Sequence, residues 1–254
     1  VRKVFGLYQK ECKTLWRQSR LWLIMAALAF LISWLFLHML DRYLALQPEL
    51  LKLSAPPNLT DALLLPLSHN LVKVLLLLVS VTAGTAVAEE RQSGTVTMLL
   101  RAQRRHWYQS VVMCKFRSHL WLLLFPVLIL LVVAVMLSLG GVINWWQVGV
   151  MLLGWLLFGS WLIAVALWLS SLTRQTGFAV LLCLVVLSGL WVVGGQAVFD
   201  EYGINWLNLM LPEHHLNGLF NGHLNISSVL YFIGGAALFL YWSQANIHRL
   251  RHQL

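Results

Sequence analysis

Apolar residues in this chain do not alternate or form a one-sided stripe. They fall in unbroken runs at 21–40, 68–88, 120–139, 148–169, 178–198 and 226–245, and only the second carries a charge, Lys73. Each run is about the 20 residues that a helix needs to cross roughly 30 Å of hydrocarbon. Backbone groups in hydrocarbon must be satisfied within their own segment, so such runs form helices. The pattern predicts an all-α integral membrane protein with six transmembrane helices.

The intervals between the runs differ in kind. Residues 1–20 are amphipathic. Lys3, Lys10, Lys13, Arg17 and Arg20 fall on one side, and Val4, Tyr8, Cys12, Leu15 and Trp16 on the other. Such a segment lies in the headgroup plane as an interfacial helix and contacts anionic lipid; the plainer alternative is a solvated tail before the first span. Residues 41–69 are polar and hold Pro48, Pro56, Pro57 and Pro66, which predicts an outside loop with one or two short helices on the membrane surface. Lys73 reads as a lysine that snorkels its ammonium to the interface, the sharper alternative being a substrate-contacting lysine. Gly84, with Ala83 and Ala86, forms a small-residue patch suited to close helix packing, and Pro126 marks a kink in the third span. Gly140-Gly141 turns the chain outside, 170–177 is a short inside turn with Arg174, and 200–225 is outside again.

Composition narrows the class. Of 254 residues, 59% are hydrophobic and 11% charged, against about 25% charged in globular chains. Once six spans are set aside, these residues leave no room for an ATPase, protease or reductase domain, so an energy source has to sit on another chain. The net charge of +9 invites nucleic acid, but its distribution does not. With both termini in the cytoplasm, all of the 18 Lys and Arg except Arg42, Lys52 and Lys73 fall inside. Of the nine acids only Glu11, Glu89 and Glu90 do. That asymmetry sets topology and is unlike a nucleic-acid-binding face. Cys12, Cys114 and Cys183 show no CxxC spacing and read as reduced thiols. The charged first twenty residues and the length of the first apolar run speak against a cleavable signal peptide.

The polar interval 89–106, between the second and third runs, concentrates the candidate chemistry. Glu89 and Glu90 stand at the inner end of a span, where the helix dipole favours cations. Arg91, Arg101, Arg104 and Arg105 are within reach as partners. They either fix the loop as a local salt-bridge set or contact another protein. Gly94 permits backbone geometry that other residues avoid, and Ser93 or Thr95 can cap a new helix. Val96, Met98, Leu99 and Leu100 then give that helix an apolar face toward the cytoplasm, the mark of a binding patch. The interval reads as a knob through which a partner acts on the membrane part.

The order of residues in the knob resembles the E-E-R-x-x-G-T-[LIV]-x-x-L-L signature of type-2 ABC transporter permeases, especially the gliding-motility and nitrous-oxide-reductase-maturation branch. The matching residues are Glu89, Glu90, Arg91, Gly94, Thr95, Val96, Leu99 and Leu100. Lys115 is similar to the lysine of a following Gly-Lys pair, with Cys114 in the glycine's place. Leu211-Pro212-Glu213-His214-His215-Leu216 and Gly222 are similar to an S-P-x-x-H-F…G stretch before the last span. Thr97 stands where Glu is common, and Arg101-Ala102-Gln103 where Thr-x-Pro is common. The resemblance implies a permease subunit in a bacterial cytoplasmic (inner) membrane, most simply an exporter. Its coupling helix would seat in a cytoplasmic ATPase dimer that holds the ATP and Mg, none of it bound by this chain. A second permease copy or paralogue would complete the pathway. The rival reading is an ATPase-linked scaffold that passes force to an extracytoplasmic partner without transport.

Other chemistries are weaker. His214-His215 beside Glu213 lacks the HExxH spacing of a helical metal site. Ser160 in the fourth span would need a histidine at matching depth to act as an intramembrane nucleophile, and the sixth span has none. No GxxxxGK[ST] phosphate loop occurs.

Overall fold

The computed structural model describes residues 2–50, 58–95, 107–194 and 209–252, and among them every regular element is a helix. The amphipathic N-terminal segment forms α1, Arg2–Arg17. Gln18 alone separates it from α2, Ser19–Leu50. The apolar run ends near residue 40, but the helix continues through Asp41, Arg42 and Pro48 where a surface loop is expected. Leu, Ala, Gln and Glu in that stretch are good helix formers, and Pro48 removes only a hydrogen bond of the last turn.

A π-helical turn, Thr60–Leu64, leads directly into α3, Leu65–Thr82. The second long helix therefore begins eight residues before the apolar run at 68–88. Pro66 stands in the first turn of α3, where its missing N–H is tolerated. At the other end α3 stops at Thr82 and does not continue to Ala88. Ser80, Thr82 and Thr85 all donate their hydroxyls to carbonyls four residues back, a bond that competes with the helix ladder and bends it. Residues 83–87 are turn, and the short α4, Ala88–Gln92, follows.

Four long elements and one short one complete the bundle: α5 Trp107–Ser138, α6 Trp145–Leu172, α7 Thr176–Gly194, α8 Pro212–Phe220 and α9 Ile226–His252. α5 runs through Pro126. Among the described residues, six helices are long and apolar enough to cross a membrane.

α6 is the centre, touching α3, α5, α7, α8 and α9. Small residues permit this. A Cβ on Gly159 would lie 2.6 Å from Leu123 of α5, and one on Gly235 of α9 would lie 2.6 Å from the Trp161 ring. Hydrophobicity cannot drive helices together in lipid, so close approach of this kind supplies the van der Waals packing that does. Rings fill the α6–α9 seam: Phe158 meets Phe232 edge-on at 5.9 Å and Trp161 meets Phe239 at 6.0 Å. α2 is the contrast. It buries Leu21, Met25, Leu28 and Ile32 and leaves Trp22, Phe30, Trp34 and Leu37 exposed.

Where α6 begins, polar side chains lock three elements. Asn144 caps the helix by accepting from the Gln147 N–H at 3.3 Å. Gln147 Nε2 donates to Asp61 Oδ1 at 2.8 Å and to the Phe220 carbonyl at 3.3 Å. Gly222, at φ +80°, closes against Gln147. His215 is buried and stacked on Tyr231 at 4.3 Å. Its Nε2–H donates to the Leu209 carbonyl at 2.9 Å, so Nδ1 accepts from the Ser228 hydroxyl at 3.2 Å. With both ring nitrogens engaged, His215 has no lone pair to offer a metal, and its role is structural.

Glu213, two residues earlier, packs on Gly194, and its Oε2 is buried without a hydrogen-bond partner. Burial holds this carboxyl above its ordinary value of 4.5. The folded chain keeps the proton more tightly than the unfolded one, so the group costs stability as the pH rises above 4.5. Glu213→Gln is expected to raise the melting temperature at pH 7.5, with the gain over wild type shrinking toward pH 4.5. His215 is shifted in the opposite direction by burial, but it is present in both proteins and drops out of the difference.

Candidate functional site

The candidate site lies at the other end of α6, where the turn 83–87 and α4 are held on two sides. Towards α6 and α7, the buried Ser170 hydroxyl accepts from the Val87 and Ala88 N–H groups at 3.1 and 3.0 Å. These are donors at the start of α4, where no helical carbonyl can serve them. Arg91 Nη1 donates to the Ser171 carbonyl. Burial, with Arg174 nearby, lowers the Arg91 pKa, yet a guanidinium remains charged at any physiological pH. Gln92 Oε1 accepts from both the N–H and the hydroxyl of Thr176, at 3.3 and 3.0 Å. Asn246 of α9 adds a bond to the Ser171 hydroxyl at 3.1 Å.

On the other side α4 faces α1 and α5 across a polar cavity of about 470 Å³. Lys115 of α5 is the centre of that side. Its ammonium donates to Glu90 Oε1 at 2.7 Å and to Glu11 Oε2 of α1 at 3.1 Å. The side chains of Lys115, Glu11 and Glu90 are only 5%, 13% and 21% exposed. Two carboxylates around one lysine leave one negative charge in excess, and Glu90 Oε2 is buried without a hydrogen-bond partner. The His119 Nδ1–H donates to the Lys115 carbonyl at 2.7 Å, which fixes the ring along the cavity wall.

Beyond α4 the chain curls back. Gly94 takes φ +72°, a conformation open to glycine and costly for side chains. The Ser93 and Thr95 hydroxyls contact each other, and each donates to the Glu90 carbonyl at 3.3 Å. They thus close the end of α4, whereas the sequence suggests them as caps of a following helix. Of the residues expected at the knob, Glu89, Glu90, Arg91, Gly94 and Thr95 belong to this construction. Val96, Leu99, Leu100, Arg101, Arg104 and Arg105 lie outside the described residues.

The cation that Glu90 finds in the structure is Lys115. Arg91, expected as a carboxylate partner, goes to a carbonyl of α6. Glu11 and Ser170 also belong to the site, although neither stands out in the sequence as part of it. Glu11 had a faint signal, as the only acid in a segment with six basic residues. Ser170 had none.

The described residues thus form a helical bundle with a laterally braced polar loop between its second and third long helices. A family model described as ABC-2 family transporter protein matches residues 6–230, and the chain belongs to that family. It is a multi-pass integral membrane protein and a permease component of an ABC transporter, a class that works with an ABC ATPase. No curated protein matches the chain.

Proposed function

We propose that this chain is the membrane subunit of an ABC exporter of the gliding-motility and nitrous-oxide-reductase-maturation branch, and that 89–106 is the segment on which its ATPase pulls. The observation that carries the reading is the bracing of α4. Lys115 ties Glu90 to α1 and α5, while Ser170, Ser171 and Thr176 tie the same short helix to α6 and α7. A loop that only connected two spans would need no such anchorage. A loop that receives force does, because a displacement is passed on only through contacts that do not slip.

In this reading the α1 end faces the cytoplasm of a bacterial inner membrane, as the Lys and Arg asymmetry supports. ATP and Mg sit in a pair of ATPase chains, whose closure moves α4 and with it α1, α5 and α6. A second permease copy or paralogue completes the pathway, and the exposed apolar face of α2 offers such a copy a surface. The test is co-purification with the cognate ATPase in mild detergent. Leu99→Asp with Leu100→Asp is expected to lower ATPase recovery by about tenfold or more, the loss of a buried apolar contact of ~1.4 kcal/mol or greater. Lys13→Gln, on the exposed side of α1, is expected to leave recovery unchanged. Full ATPase recovery with the paired aspartates would refute the docking role.

A further inference from the structure

A groove of about 650 Å³ lies between α1, α5 and α6, a volume within the roughly 300–1,000 Å³ of small-molecule sites. Its two ends differ in chemistry. Leu120, Leu124, Leu156 and Leu157 line most of its length, and Arg117 and Tyr8 stand at one mouth. Arg117 lies roughly 20 residues, or about 30 Å, from the far end of its span at Ser138. That spacing puts the guanidinium at the hydrocarbon boundary, with the leucines one and two turns deeper. The side chain is exposed, and among the described residues no carboxylate pairs with it. Beside it, the Tyr8 hydroxyl accepts from Trp121 Nε1, which leaves its own O–H to donate.

Hydrocarbon alone would satisfy the leucines and leave the charge unanswered. A soluble anion would do the reverse. A molecule with an acyl chain below and a phosphate above answers both, since a guanidinium binds phosphate through two parallel N–H bonds. The exposed Lys13 of α1 adds attraction for net negative headgroups. We propose that this groove is a specific seat for one anionic phospholipid. Its phosphate is held by Arg117 and the Tyr8 O–H, and one acyl chain lies along the leucines of α5 and α6. The lipid would fasten α1, and hence Glu11, to α5.

Native mass spectrometry of the full chain, purified in detergent and supplied with phosphatidylglycerol or phosphatidylcholine, tests this. Wild type is expected to retain phosphatidylglycerol with about tenfold preference, because both lipids offer the phosphate but only phosphatidylcholine brings a quaternary ammonium that Arg117 repels. Arg117→Gln is expected to abolish the preference, and Leu124→Trp, which fills the groove and leaves the charge, to reduce retention of both lipids. Arg174→Gln, on the α6–α7 turn, is expected to behave as wild type. Circular dichroism melts of each variant identify any loss that comes from unfolding. Equal retention of the two lipids by wild type would overturn the proposal, as would unchanged retention in both groove variants. Efficient crosslinking of Leu124→Cys to a second copy in native membranes would also overturn it, by giving the groove to the permease partner.

Discussion

Lys115→Met is expected to cost about 3–5 kcal/mol, because it leaves two buried carboxylates facing each other with no cation between them. Glu11 and Glu90 come from α1 and from α4, and their shared ammonium lies within 3.1 Å of both. Once it is gone, one of the two elements has to move until water reaches its carboxylate. The melting temperature of the detergent-solubilised protein should fall by roughly 6–20 °C at ~2–4 °C per kcal/mol. The effect is expected to be strongly non-additive. Adding Glu11→Gln and Glu90→Gln removes the uncompensated charges, and replacing a whole buried ionic set is often close to neutral. The triple variant should therefore recover most of the lost melting temperature. It is not expected to recover coupling: ATP hydrolysis by the assembled complex should run without vectorial transport, because neutral side chains hold α1 against α4 less firmly. Full recovery of transport in the triple variant would reduce Lys115 to a structural role.

Gly84→Ala is the second large effect. A Cβ at this position would fall 2.1 Å from the Ser80 carbonyl oxygen and 3.0 Å from Cys183 Sγ of α7. The first neighbour is backbone and cannot swing aside, so the turn that follows α3 must reshape. Overpacking of this kind costs about 1–3 kcal/mol and occasionally more, and the backbone clash puts this position at the upper end. Cys183→Ala in the same chain should recover little, since it removes only the softer of the two contacts. Gly149→Ala and Gly234→Ala meet nothing within 4 Å and should be near neutral in the same melts. Because residues 83–87 lead into α4, Gly84→Ala should also weaken ATPase recovery, whereas the two control glycines should not.

The spans were legible because a bilayer imposes a length threshold that apolar runs either reach or miss. Their ends were not, because beyond the hydrocarbon the helix obeys local preference. At Pro48 and Pro66 the prolines looked like loop and proved compatible with helix, one in a last turn and one in a first. At 83–87 the reverse happened. The composition is apolar enough to continue a span, but the hydroxyls of Ser80, Thr82 and Thr85 draw carbonyls away from the ladder. The candidate site was visible as misplaced charge, two adjacent acids on a side of the membrane otherwise poor in them. Its partners were hidden. Glu11 and Lys115 lie 104 residues apart, and nothing in the period of an apolar helix says which neighbour it meets. Ser170 is one of many serines in such helices, distinguished only by the two N–H groups that happen to end opposite it.

The centrality of α6 has a mechanical consequence. Its 28 residues form an unbroken shaft about 42 Å long, gripped at one tip by Ser170 and at the other by Gln147. Whatever tilts the shaft at the α4 tip must also drag on Asp61 and the Phe220 carbonyl, on the opposite face of the bilayer. Under the proposed permease role, opening on one face and closing on the other become two readings of a single rocking stroke.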